Sequence, residues 1–103
     1  MLLECCIRSK VDGIVIEGLG AGNLPPSMVP LIKEAISSKI PVVMTTRCPE
    51  GFAVGTYAYE GGGAGLESMG VIYGGDLNGQ KARIKLMVLC DTSSDPLYLK
   101  THF

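Results

Sequence analysis

The chain has 103 residues, 47% of them hydrophobic, with 14 glycines and 6 prolines. This gives room for one small domain with a thin core and many turns, and it is not the composition of a disordered segment. Nine basic and ten acidic side chains leave a formal charge of -1, so no global field draws in nucleic acid or an anionic membrane, and neither is expected as a partner. No apolar run is long enough to span a bilayer, and Met1 to Cys6 lacks the charged start and apolar stretch of a secretion signal, so a soluble, cytoplasmic chain is expected.

Cys5, Cys6, Cys48 and Cys90 show no CxxC spacing and read as reduced thiols. The only histidine is His102, near the C-terminus, so neither zinc nor any other metal is expected.

Leu2 to Lys10 reads as the end of a helix, with Leu2, Leu3, Cys6 and Ile7 on one side and Arg8 and Lys10 where cations suit a helix C-terminus. Gly13, Ile14, Val15 and Ile16 then run without polar alternation, as in a parallel strand covered on both faces. A chain that opens within a helix just before such a strand is expected to belong to a longer protein whose preceding strand lies upstream.

After Glu17 the run breaks into Gly18, Gly20 and Gly22, separated by Leu19 and Ala21, before Asn23, Leu24, Pro25 and Pro26. Ligands in open parallel sheets bind beyond the carboxyl ends of the strands, so this turn is the first place to look for a site. A tight connection with no ligand fits equally well. The dinucleotide fingerprint GxGxxG does not: counted from Gly18 the last glycine falls on Asn23, and counted from Gly20 it falls on Pro25.

Ser27 is placed to cap a helix through about Ser38, with Met28, Ile32, Ala35 and Ile36 on one apolar face. Ile40 to Thr46 is a second apolar strand, and a crossover of this length demands parallel pairing and a right-handed connection. Arg47 to Thr56 is a loop leaving the same sheet edge as the Asn23 turn, followed by Tyr57, Tyr59, Glu60 and the glycines 61 to 63. A short helix through about Met69 and a short strand at Val71 to Tyr73 come next. Asn78 is a good cap for a last long helix through Cys90 with Ala82, Leu86, Leu89 and Cys90 buried, while Lys81, Arg83 and Lys85 form its wet side. Leu97 to Phe103 reads as a further short helix.

The order of elements predicts a small three-layer, Rossmann-like α/β domain of about three parallel strands flanked by helices. So small a sheet is marginal alone, and a partner chain or another domain is expected to cover an edge or a helical face.

Asn23 on one loop, with Arg47, Tyr59 and Glu60 on the next, is a set that suits a small zwitterion: a carboxylate pairs with an ammonium, and an amide both donates and accepts. A nucleophile with its base is missing. Thr45, Thr46, Thr56 and Cys48 have no histidine to activate them, and strand-end threonines are usually structural, so no catalytic residue is assigned in this chain.

Four segments in the right order, GIVIEGLGAGNLP (13–25), VVMTTRCPEG (42–51), YEGGG (59–63) and GVIYGGDLNGQKARIKLM (70–87), resemble the C-terminal domain of the bacterial and archaeal asparaginase and glutaminase family, its cytosolic type I enzymes above all. The resemblance covers about Asp12 to Leu89. It implies a C-terminal domain over residues 1–103 of an enzyme that hydrolyses the side-chain amide of L-asparagine to aspartate and ammonia, with no metal or cofactor, through a threonine nucleophile. That nucleophile and its partners sit in a larger N-terminal domain, so the chain alone is expected to be inactive. The C-terminal domain of a neighbouring subunit in a dimer or tetramer completes the site with an asparagine from a GxGN turn and a glutamate from the following loop. Asn23 matches the first, and Glu60 matches the second to within a few residues of loop length; Gly20, Gly22, Arg47 and Tyr59 are the supporting candidates.

Members with allosteric control have a cysteine at the position of Cys48 and an arginine where this chain has Glu17. The acid removes the partner of an effector carboxylate, which argues against allosteric asparagine binding; a packed loop thiol is the preferred reading of Cys48. Two other readings share the domain: the asparaginase-like subunit of the archaeal glutamyl-tRNA amidotransferase, and a non-catalytic domain that binds an amino acid.

Overall fold

A run such as Val42, Val43, Met44, Thr45, Thr46 carries no charge on either side of the chain, and a sheet can accept it only at its centre. The computed structural model, which describes residues 2–49, 53 and 62–103, puts it there. Strand β2 (Val42–Thr46) is buried at every position and is flanked in parallel by β1 (Ile14–Gly18) and β3 (Ile72–Tyr73), in the order β1-β2-β3. Ile14 pairs with Val42 and Gly18 with Thr46, while Val43 and Met44 pair with Ile72 and Tyr73.

Side chains on a strand alternate in direction, and the core divides accordingly. Ile14, Val42, Met44 and Val71 point to one face, where they meet helices α1 (Leu2–Arg8), α2 (Val29–Ser37) and α3 (Gly63–Met69) through Leu3, Ile7, Ile32, Ala35 and Leu66. Val43 and Ile72 point to the other, against Ala82 and Leu86 of α4 (Gly79–Thr92) and Leu99 of α5 (Pro96–His102). The expected three-layer α/β domain is therefore observed. Ile32, Leu66, Met44 and Leu99 are fully buried, and each such side chain stabilises the fold by about 1.5–3 kcal/mol.

Strand β1, at the edge of the described sheet, is covered on both faces as expected, Ile14 and Ile16 packing with the cluster under α1, α2 and α3 and Val15 with the one under α4 and α5, while Glu17 is exposed. Several local expectations are corrected. Ser27 does not cap α2. A 3-10 turn at Pro26–Met28 leads into the helix, Met28 occupies the N-cap without a side-chain hydrogen bond, and prolines stand where the first-turn N–H groups would have no acceptor. Lys85 is not on the wet side of α4. It turns toward α5, with Nζ 5.0 Å from the Phe103 ring centre and 3.4 Å from the Phe103 carbonyl. Lys81 and Arg83 are exposed as expected, and the exposed apolar side chains Ile84, Met87 and Val88 share that outer face of α4. His102 closes α5, Nδ1 lying 2.8 Å from the Tyr98 carbonyl.

Asn78 does cap α4, its Oδ1 accepting from the Lys81 N–H at 2.9 Å. Asn78→Ala is expected to cost about 1 kcal/mol, read as a lower urea midpoint at constant slope. A midpoint that does not move would show that the cap contributes nothing.

Candidate functional site

Beyond Gly18 the chain cannot continue as a strand, because the next residues fold back on themselves. Leu19 and Asn23 face each other as an antiparallel bridge: the Leu19 N–H donates to the Asn23 carbonyl at 2.9 Å, and the Asn23 N–H returns to the Leu19 carbonyl at 2.8 Å. The Gly22 N–H bonds to the same Leu19 carbonyl at 2.8 Å. Closing so tight a loop takes left-handed backbone at Gly20 (φ 51°) and Gly22 (φ 101°), which glycine adopts at least cost. A Cβ on Gly22 would also lie 2.8 Å from Met44 Cγ and 2.9 Å from Tyr73 Cε1, so the turn rests directly on β2 and β3.

Three hydroxyls tie this corner to the sheet. Thr45 donates to the Ile16 carbonyl at 3.1 Å, Thr46 donates to the Gly20 carbonyl, and Tyr73 donates to the Gly22 carbonyl at 3.1 Å. The reading of Thr45 and Thr46 as structural threonines holds, since both protons are committed to backbone oxygens. Thr46 Oγ1 also accepts the Cys48 N–H at 3.1 Å, and the Arg47 N–H bonds to the Gly18 carbonyl at 2.9 Å, so the start of the loop after β2 is fastened to the turn. Further along the chain, Ala53 is buried against Gly22, with its N–H on the Gly75 carbonyl at 2.9 Å.

Of the residues singled out from the sequence, Gly20, Gly22, Asn23, Arg47 and Cys48 are thus brought to one end of the sheet, the carboxyl end. Asn23 is 8% exposed at the base of the turn, and the Arg47 side chain is exposed. Tyr59 and Glu60, with Tyr57 and Thr56, lie outside the described residues. Cys48 is exposed, which corrects the expectation of a packed thiol; only its backbone is engaged. Glu17 lies over the first residue of α4, where a Cβ on Gly79 would be 2.5 Å from its Oε1, a setting in which the positive end of the helix favours an anion. Among the described residues no group of three His, Cys, Asp or Glu side chains is arranged to hold a metal ion. A groove lined by Asp12, Val15, Leu86, Met87 and Cys90 opens near the other end of the sheet, away from Asn23. There burial, and secondarily the Asp12 carboxylate, pushes the Cys90 thiol up, away from the reactive thiolate.

Tyr73 was not singled out from the sequence, because only the pairing of β3 with β2 brings its ring to the glycine turn. Burial first, and the Glu67 carboxylate second, push its phenol from 10.0 up to about 12. The hydroxyl therefore remains a donor at any ordinary pH. A raised pKa means that the folded state holds this proton more tightly than the unfolded chain. Its contribution to stability is complete below about pH 10 and is lost as pH rises toward about 12. An ultraviolet titration should show a late-ionising tyrosine component that Tyr73→Phe removes; a titration unchanged by that substitution would contradict the assignment.

A sequence model of the glutaminase/asparaginase C-terminal domain matches residues 1–103. The chain belongs to this family. It is 41% identical over 87 residues to an L-asparaginase of Bacillus licheniformis, a match covering 84% of this chain and 27% of that protein. It is 49% identical over 80 residues to a probable L-asparaginase of Deinococcus radiodurans, covering 78% of this chain and 24% of the relative. A glutamyl-tRNA(Gln) amidotransferase subunit of Methanosarcina mazei is 34% identical over 86 residues, covering 84% of this chain and 20% of the relative. The chain thus spans about a quarter or less of the length of these relatives. This glutaminase/asparaginase C-terminal domain carries the sequence GxGN at Gly20 to Asn23. No helix among the described residues is long and apolar enough to cross a membrane.

Proposed function

We propose that residues 1–103 form the C-terminal domain of a cytoplasmic L-asparaginase and act together with an N-terminal domain that carries the threonine nucleophile. The chain brings the binding half of a pocket. The Asn23 amide donates to the substrate carboxylate or accepts from its ammonium, and the Glu60 carboxylate pairs with that ammonium. Gly20, Gly22, Arg47 and Tyr59 are the supporting residues of this site. The chemistry occurs on a neighbouring subunit of a homo-oligomer, dimer or tetramer, and needs neither metal nor cofactor.

The observation that carries this reading is the position of Asn23, at the carboxyl end of the sheet on a turn whose backbone is bonded on every side, beside the start of the loop that leads to Glu60. A site of this kind needs a side chain held in place before the substrate arrives. The higher identities, 41% and 49%, are to proteins named as asparaginases, against 34% to the amidotransferase subunit.

The test is a chimera in which this chain replaces the matching C-terminal quarter of the Bacillus licheniformis enzyme. It is expected to release ammonia from L-asparagine, and Glu60→Ala in it is expected to lower kcat/KM about tenfold or more, the loss of one charged hydrogen bond. A chimera that unfolds cooperatively yet hydrolyses nothing would refute the proposal. Ammonia release only in the presence of an amidotransferase partner and glutamyl-tRNA would transfer the domain to that second reading.

A further inference from the structure

The proposed site depends on where one short side chain points, and a side chain's direction follows from its own peptide plane. The peptide between Gly22 and Asn23 is gripped from both sides. Its N–H, on Asn23, donates to the Leu19 carbonyl at 2.8 Å, and its carbonyl, on Gly22, accepts from the Tyr73 hydroxyl at 3.1 Å. A glycine at φ 101° has little steric preference of its own and would allow this plane to rotate, carrying the Cα–Cβ bond of Asn23 with it. The Tyr73 ring also fills the space where a Gly22 side chain would be, so the hydroxyl arrives on a rigid arm from β3.

We propose that Tyr73 is a positioning residue for the Asn23 amide: by holding the Gly22 carbonyl it fixes the orientation in which the turn offers that amide to an amino-acid substrate. This rests on the proposed role of Asn23 in binding. The raised pKa of the phenol keeps the donor in place across the working range of such an enzyme. Tyr73→Phe removes the hydroxyl and leaves the ring, while Thr46 still holds the Gly20 carbonyl, so the variant should fold.

The experiment is a two-residue cycle in the chimera described above: the parent, Tyr73→Phe, Asn23→Ala and the double variant, each measured for kcat, KM and thermal midpoint. Tyr73→Phe is expected to raise KM for asparagine about fivefold with kcat within about twofold of the parent, the signature of lost uniform binding. The double variant is expected to be no worse than Asn23→Ala alone, because Tyr73 then has nothing left to orient. Fully multiplying losses in the double variant, or a KM untouched by Tyr73→Phe while Asn23→Ala raises it, would overturn the positioning role and leave the function of Asn23 standing. An Asn23→Ala variant with parental kinetics would overturn both.

Discussion

Asn23→Ala in the assembled enzyme is expected to lower kcat/KM for asparagine about 10- to 100-fold, chiefly through KM. The magnitude follows from the loss of a hydrogen bond to a charged group of the substrate, worth about 1.5–3 kcal/mol, converted at about 1.4 kcal/mol for each factor of ten. The effect falls on KM because the amino acid's charged groups do not change along the reaction, so the same contact serves ground state and transition state. Fold stability should move less. The turn is closed by backbone bonds between Leu19 and Asn23, which alanine retains. A thermal midpoint that collapsed with the activity would show that Asn23 works as a brace and not as a binding group.

The second large effect is expected at Gly22. Valine there must adopt φ 101° and must place its Cβ 2.8 Å from Met44 Cγ and 2.9 Å from Tyr73 Cε1, both side chains that are packed in place. Backbone strain of about 1–3 kcal/mol and overpacking of a similar size add up to about 2–6 kcal/mol, a large fraction of the roughly 5–15 kcal/mol that holds a domain together. Gly20→Ala is the control. It carries a left-handed cost at φ 51° but has nothing closer than Asn23 Nδ2 at 3.7 Å, so it should lose only about 1–2 kcal/mol. Equal losses in the two variants, measured by denaturant unfolding, would show that packing on Met44 and Tyr73 is not what makes Gly22 necessary.

Much of the architecture was legible in the residues. The uncharged run at Val42 to Thr46 demanded the middle of a sheet, the Ile32 and Ala35 spacing demanded a helix on one face, and Asn78 announced the start of α4. Such features are local, and local chemistry decides them. Ile14 to Ile16 is covered on both faces as read, though less fully than β2, because the strand lies at the edge of the described sheet and apolar character does not report the number of neighbouring strands. The misreadings were also instructive. Ser27 had the right chemistry for a cap, but the flanking prolines Pro26 and Pro30 set the backbone of the entry turn without it. Lys85 was assigned to solvent from its charge, whereas the return of α5 gave it a ring and a carbonyl to reach.

The order of glycines before Asn23 was enough to mark the turn, and four matched segments were enough to identify the family, since both are properties of the chain read in one dimension. That Thr46 and Tyr73 hold the carbonyls of Gly20 and Gly22 was decided only when β1, β2 and β3 came side by side. The hydroxyl of Tyr73 lies 51 positions along the chain from the oxygen it meets, and no local preference encodes such a distance. It arises from strand register, which is set by the burial of both sheet faces at once.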